Sequence, residues 1–231
     1  MMTTYRFQEL QLDGPALSAS ECPVRRRFSR LVHRTACPYA RNARIIYAPP
    51  WEPQLSVEEN TARAVPFLDL FVAHSATLCL DLFVMEVRND PAVGDIGAMA
   101  QVLYRILGTL SQADPARVEQ LTEGITTKEW DFVYRGERLF VPVFAPFYSA
   151  NHPRYSHVPG SAYLVFQGDG SFKRRRISSR NPNRKQLTAD IARLFLNGGF
   201  TYEVTLVTHP FKAARYLKPL RLSDEPIYWW E

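Results

Sequence analysis

Residues 130–167, WDFVYRGERLFVPVFAPFYSANHPRYSHVPGSAYLVFQ, decide the fold class of this chain. Two runs rich in aromatic and β-branched residues, 130–134 and 138–144, flank the turn sequence Arg135-Gly136-Glu137. Such runs, joined by a short segment that contains glycine, are typical of a β-hairpin. Residues 161–167 predict a third strand, and the polar stretch before them is predicted to be a loop anchored on the sheet.

Helices and further strands are predicted on both sides of this segment. The apolar run 77–87, TLCLDLFVMEV, predicts a central strand that is buried on both faces. Apolar residues at helical spacing predict a helix over 95–111. Ser56 and Glu59 form a capping-box pattern before a helix that Pro66 should kink or split. The sequence therefore predicts a single α+β domain whose sheet is mixed or mostly antiparallel, with flanking helices.

The remaining predictions concern the ends of the chain and its connections. Residues 1–30 are predicted to be a polar, irregular extension whose basic cluster is exposed, and residues 31–231 the domain. Two further strands are predicted over 44–48 and 201–207, and a short helix is predicted to open at Asp114-Pro115. A longer helix is predicted from Asn183 to Gly198-Gly199, and its apolar face carries Leu187, Ile191, Leu194 and Phe195. The aromatic tail, DEPIYWWE, is predicted to dock on the domain.

Composition sets the class of protein. The 231 residues are 46% hydrophobic and 22% charged, which suits one packed domain. The net charge of +5 favours anionic partners in a general way. Cys22, Cys37 and Cys79 match no zinc spacing and are odd in number, so reduced thiols and a cytoplasmic setting are expected. No apolar stretch approaches the roughly 20 residues of a membrane span.

The loop within 130–167 concentrates groups that bind metals or move protons. Tyr148, His152, Arg154, Tyr155 and His157 fall within ten residues. Imidazole is a common metal ligand and acid–base group, and the guanidinium fork matches carboxylates. From the residues alone, each has an ordinary alternative: an exposed loop histidine, a solvated arginine, or a tyrosine packed at a strand end. His33, His74 and His209 have no partners at metal-ligand spacing.

A family resemblance gives these residues a context. The segment Cys37-Pro38-Tyr39-Ala40-Arg41-Asn42-Ala43 resembles a Cys-x-x-Ala-Lys/Arg-x-Ala element of the YqcI/YcgG family. The order that follows, from helix and apolar strand to hairpin, Pro/His/Arg/Ser loop and Val165-Phe166-Gln167, is also similar to that family. Some members are haem-dependent oxygenases that N-hydroxylate arginine or another guanidine. The resemblance implies haem b with its iron, O₂, an external reductase and a small guanidine or amine substrate.

Two alignments to the family pattern remain open. That pattern has a His-Pro or Thr-Pro pair after the hairpin and an Arg-rich element shortly after it. An ungapped match puts Ala145-Pro146 at the pair and His157 in place of an arginine. A gapped match instead puts His152-Pro153 at the pair.

The resemblance implies a role for each candidate residue. His152 is the first candidate for the axial iron ligand, and His157 is the alternative or a partner for a haem propionate. Arg154 would pair with a propionate or a substrate carboxylate, and Cys37 is a candidate thiolate ligand. The remaining candidates are Tyr148 and Tyr155 as catalytic hydroxyls near bound oxygen, and Glu86 and Asp131 as carboxylates for a guanidinium substrate.

Other classes of function are kept beside the oxygenase. A non-catalytic member of the same fold, binding a small anionic ligand or a protein partner through its basic face, is the alternative, and a homodimer is left open. Residues 173–185, KRRRISSRNPNRK, carry seven basic groups. They have few interleaved aromatics, which argues against nucleic acid as the partner.

Overall fold

The computed structural model of the protein describes residues 22–116, 119–177, 181–202 and 209–231. Its described strands form one six-stranded sheet in the order β1-β2-β6-β4-β3, with β5 paired to β6. The strands are β1 (Ile45–Tyr47), β2 (Leu82–Arg88), β3 (Phe132–Tyr134), β4 (Glu137–Phe140), β5 (Val143–Phe144) and β6 (Ser161–Gly168). β1 pairs with β2 in parallel and the other pairs are antiparallel, so the predicted mixed α+β fold is confirmed.

Five α-helices are described around the sheet: α1 (Pro23–Arg34), α2 (Val57–His74), α3 (Ile96–Ala113), α4 (Asp169–Arg174) and α5 (Arg184–Asn197). Strand β2 separates two apolar clusters because alternate side chains of a strand point to opposite faces. Phe83 and Met85 join the larger cluster, which α2 and α3 complete. Val84 joins a smaller cluster with Phe28 and Leu31 of α1. Both faces of the sheet are therefore covered where β2 runs, as predicted for a central strand.

The predicted hairpin forms between β3 and β4, but its turn is Arg135-Gly136 alone, because Glu137 already belongs to β4. Arg135 and Gly136 both have positive φ, 47° and 77°. Two successive residues with positive φ form the type I′ turn, whose twist matches that of a two-residue hairpin. Phe132 then pairs with Leu139, and both are fully buried. The turn thus sets the register that keeps the apolar side chains of the hairpin in the core.

Helix α2 begins at the predicted capping box and continues through its proline. The Ser56 hydroxyl accepts from the Glu59 N–H at 3.1 Å, and the Glu59 carboxylate accepts from the Ser56 N–H at 2.7 Å. The helix continues through Pro66, so the proline does not split it. Leu68 and Phe71 are fully buried, and this packing outweighs the one hydrogen bond that proline removes.

Replacing Ser56 with Ala is expected to lower the free energy of unfolding by about 1 kcal/mol, because the Glu59 N–H loses its acceptor while the bond from the backbone N–H of residue 56 to the Glu59 carboxylate remains. Urea denaturation measures the change. Gln112→Ala, at an exposed position of α3, is the control and should change stability by only a few tenths of a kcal/mol. Equal midpoints for Ser56→Ala and the parent would contradict the capping role.

Several boundaries differ from the prediction. Residues 23–30 are helical rather than irregular, because they belong to α1. Residues 114–116 form a turn instead of opening a helix, since the Asp114 carboxylate accepts from the N–H groups of Ala116 and Arg135. Strand β2 begins at Leu82, five residues later than predicted. The strand predicted over 201–207 falls mainly on residues 203–208, which lie outside the described residues.

The aromatic tail packs on the domain as predicted, whereas α5 is less buried than predicted. Trp229 is 3% exposed, stacks on Tyr216 and donates from its indole to the Ala213 carbonyl. In α5 the predicted apolar face is only partly buried, because Phe195 is buried while Leu194 is 44% exposed. No helix in the described part of the chain is long and apolar enough to cross a membrane.

Candidate functional site

Helix α1 presents one apolar and one basic face. It starts with Pro23 at the first helical position, where the missing N–H costs nothing. Val24, Phe28 and Leu31, at spacings of four and three residues, are buried, and Phe28 and Leu31 pack against the sheet. The remaining face carries arginines and a histidine. The helix therefore holds a row of cationic side chains beside the sheet.

A pocket of about 400 Å³ lies between α1 and the turn that contains His157. It is partly open to solvent, and its volume is within the range of small-molecule sites. Five residues line it: Ser29, Arg30, His33, Arg34 and His157. The lining holds two guanidinium groups, two imidazoles and no carboxylate, so it favours an anionic ligand.

One ring nitrogen of His33 is fixed by a contact with the backbone of α1. Its Nδ1 lies 2.6 Å from the Ser29 carbonyl oxygen. A carbonyl only accepts, so Nδ1 carries a proton, and in the neutral ring Nε2 has the free lone pair. Metal-binding histidines commonly have their second ring nitrogen fixed in this way. No motif or spacing in the sequence singles out His33.

His157 closes the pocket from the opposite side. Its φ of 58° lies in the left-handed region, which is uncommon for a residue with a Cβ. The ring meets Tyr155 edge-on, with ring centroids 4.6 Å apart, and Phe200 at 6.4 Å. Burial, and secondarily the charge of Arg34, lower the pKa of His157. The imidazole is therefore neutral at physiological pH.

His152 lies in the core and not at this pocket. Its side chain is 2% exposed and its ring stacks on Tyr148, with centroids 4.0 Å apart and ring planes 4° from parallel. Nδ1 accepts from the Arg154 N–H at 3.0 Å, so in the neutral ring Nε2 carries the proton. Nε2 is buried, and its contact with the Pro219 carbonyl falls short of a hydrogen bond in the described structure.

Burial, followed by the charges of Lys218 and Arg154, lowers the pKa of His152 to about 3. The tautomer leaves neither ring nitrogen with a free lone pair. His152 therefore does not fit the role of axial iron ligand, for which the family resemblance made it the first candidate.

The two tyrosines of the loop have different surroundings. The Tyr148 hydroxyl donates to the Lys218 carbonyl at 2.7 Å and the side chain is 2% exposed. This contact leaves Tyr148 away from the pocket lining. Tyr155 is half-buried, joins Ala145 in an isolated β-bridge and packs against His157. Of the two predicted catalytic hydroxyls, only that of Tyr155 belongs to a residue that contacts the site.

Arg154 and Cys37 occupy neighbouring positions outside the pocket lining. The guanidinium carbon of Arg154 lies 4.9 Å from the centre of the Phe144 ring, and burial lowers the pKa of Arg154 to about 10. Burial also raises the pKa of the Cys37 thiol, despite the nearby Arg175 and Arg154. A raised pKa disfavours the thiolate that would ligate iron.

Both predicted substrate carboxylates are bound to cationic side chains. Glu86 is 0% exposed and accepts from Arg27 at 2.7 and 2.5 Å. Asp131 accepts from Lys212 at 2.6 Å and lies 3.6 Å from Arg138. Neither carboxylate lines the pocket. Arginine or guanidine recognition through them would require these ion pairs to open.

Some basic side chains of residues 173–185, which follow β6, form ion pairs within the fold. Arg174 and Arg175 contact the buried Asp81 at 3.1 and 2.9 Å, which fixes the end of α4 against the start of β2. These ion pairs neutralise two basic groups of the run, so the run is less suited to bind nucleic acid.

The fold and the pocket define a single-domain α+β protein with a cationic, imidazole-bearing site between α1 and the turn that contains His157. The chain belongs to the YqcI/YcgG family, whose model matches residues 51–198. His157 lies inside the matched residues, whereas α1 and the Cys37–Ala43 element lie outside them. No curated protein and no solved structure matches the chain.

Proposed function

We propose that the protein is a haem-dependent oxygenase that N-hydroxylates a small amine or guanidine, with the pocket between α1 and His157 as its haem site. One observation carries the proposal: His33, with Nδ1 fixed on the Ser29 carbonyl, lines the same pocket as Arg30, Arg34 and His157. An imidazole and guanidinium groups are the donors that haem iron and haem carboxylates require.

The arrangement of His, Cys, Asp and Glu side chains in the described residues suits a haem better than a bare metal ion. In the described ranges, no three His, Cys, Asp or Glu side chains are grouped to hold a metal. Haem iron needs only one or two ligands from the protein, because the porphyrin supplies the others. Bound there, the group would supply activation of O₂, with electrons from an external reductase.

The residues of the pocket then have separate tasks. The lone pair on His33 Nε2 would bind the haem iron. Arg30 and Arg34 hold carboxylates of the ligand through their planar forks. His157, neutral and held between aromatic rings, is placed to donate or accept one hydrogen bond on the other side of the pocket. These tasks replace the assignment of His152 as the iron ligand.

A haemin titration followed by absorption spectroscopy tests the proposal. The parent protein is expected to develop a Soret band with one equivalent of haemin. His33→Gly is expected to weaken haemin binding at least about tenfold, and added imidazole should restore the band by occupying the vacated ligand position. His157→Ala should retain the band with altered intensity or position.

His74→Ala is the matched control because His74 ends α2 and does not line the pocket. It should bind haemin like the parent. A folded parent protein without a Soret band would exclude the haem function. A band that His33→Gly leaves unchanged would remove His33 as the ligand.

A second candidate function is supported by the charge of the lining. Two arginines without a carboxylate suit a small oxyanion, and such binding needs no iron. A colourless protein that binds inorganic phosphate, with affinity falling steeply as salt rises and lost in Arg30→Gln/Arg34→Gln, would favour this non-catalytic role.

A further inference from the structure

One buried ion pair joins the pocket helix to the sheet. Arg27 of α1 donates from Nε and from a terminal nitrogen to the two oxygens of Glu86 on β2, at 2.7 and 2.5 Å. The Glu86 side chain has no exposed surface and the Arg27 side chain is 21% exposed. Both oxygens of the carboxylate are used by one fork, so the contact fixes direction as well as distance.

The residues that line the pocket are linked to this contact by helix geometry. Arg27, Arg30 and Arg34 recur three and four residues apart, so they lie along one stripe of α1. Four of the five lining residues belong to α1. The apolar contacts of Phe28 and Leu31 hold the helix on the sheet, but apolar contacts are non-directional. Rotation of α1 about its axis would move the two lining arginines together.

We infer that Arg27 and Glu86 are positioning residues for this pocket: their ion pair sets the rotation of α1 and so aims Arg30, His33 and Arg34 at the ligand. The inference deepens the proposed function and rests on it for the identity of the site. Glu86 acts through Arg27 and touches no ligand itself, which replaces its predicted role as a carboxylate for the substrate.

Three variants separate positioning from stability. Glu86→Gln leaves Arg27 without its charged partner and is expected to lower both stability and affinity. Arg27→Met/Glu86→Leu removes both charges and fills the space with apolar atoms, a replacement that often leaves buried pairs as stable as before. The double variant is expected to unfold at the same denaturant concentration as the parent, yet to bind about tenfold more weakly. Arg27→Lys, which keeps the charge and loses the fork, should bind with intermediate affinity.

Each variant is titrated with haemin and, as a probe without iron, with inorganic phosphate. Hydrogen exchange of residues 23–34 is measured in the free protein. Glu58→Gln is the control, because Glu58 forms the same kind of forked pair with Arg105 between α2 and α3. It should change neither affinity nor the exchange of α1.

The outcomes are distinct. Weakened binding with faster exchange in α1, in a double variant of parental stability, supports positioning. Parental affinity in the double variant overturns it and leaves the pair a purely structural contact. If the parent binds phosphate but not haemin, the haem function is rejected, and the phosphate titrations of the variants still decide the inference. A parent that binds neither probe rejects both.

Discussion

Acidification from about pH 6.5 to about pH 4 is expected to destabilise the protein by about 3 kcal/mol through His152 alone. Burial lowers the pKa of His152 to about 3, from an ordinary value of 6.5. Between these values the unfolded chain binds one proton more than the folded protein, so stability falls as pH falls. The slope of one such group is about 1.4 kcal/mol per pH unit. Above about pH 6.5 the contribution of His152 is fully present and no longer changes.

Urea denaturation at intervals of half a pH unit measures this dependence. His152→Gln removes the titrating group, so its curve of stability against pH should be flatter than that of the parent by about one proton. Asn151→Ala, at the exposed neighbouring position, should keep the parental slope. Parallel curves for His152→Gln and the parent would show that His152 is accessible to protons in the folded state, against its 2% exposure.

Replacing Asp81 with Ala is expected to lower the free energy of unfolding by about 3 kcal/mol. The carboxylate accepts from the Arg44 N–H at 3.1 Å, the Ser171 hydroxyl at 3.1 Å and the guanidinium groups of Arg174 and Arg175. All four donors lose the carboxylate together, and the guanidinium groups of Arg174 and Arg175 keep other acceptors, the carbonyls of Leu80 and Asn42. Because the arginine side chains are 28% and 26% exposed, they regain part of the loss from water, which places the effect at the lower end of the range for buried pairs.

Two further variants calibrate this result by chemical denaturation. Asp81→Asn keeps the size and the acceptor oxygen but not the charge, and should cost about half as much. Asp190→Ala breaks the exposed pair with Arg193 and should cost less than about 0.5 kcal/mol. If Asp81→Ala were no more destabilising than Asp190→Ala, the buried network would contribute nothing beyond a surface pair.

Much of the fold follows from local sequence. The capping box at Ser56, the apolar spacing of α3 and the glycine of the β3–β4 turn each specify their element within a few residues of chain. Helix α1 was missed although its signals are of the same kind: a proline at the start and apolar residues at positions 24, 28 and 31. The density of arginines in that stretch favoured an irregular, solvated interpretation.

The candidate site was predicted less well because its parts are distant in sequence. The prediction placed the imidazole of interest at His152 or His157, within one loop. The structure separates them, since His152 turns into the core while His157 turns toward α1. His33, which meets His157 across the pocket, lies more than a hundred residues earlier in the chain. No spacing rule joins two such residues.

The sequence by itself determined the class of fold, the order of most helices and strands, and membership of the YqcI/YcgG family. These depend on periodicity, turn residues and short motifs, which act over a few neighbouring residues. Tertiary structure alone decided which charges are neutralised by partners, which histidine is buried and which faces a cavity. Those properties depend on groups that the fold brings together from distant segments, as Arg27 and Glu86 show, and they set the energy of each charge through its surroundings.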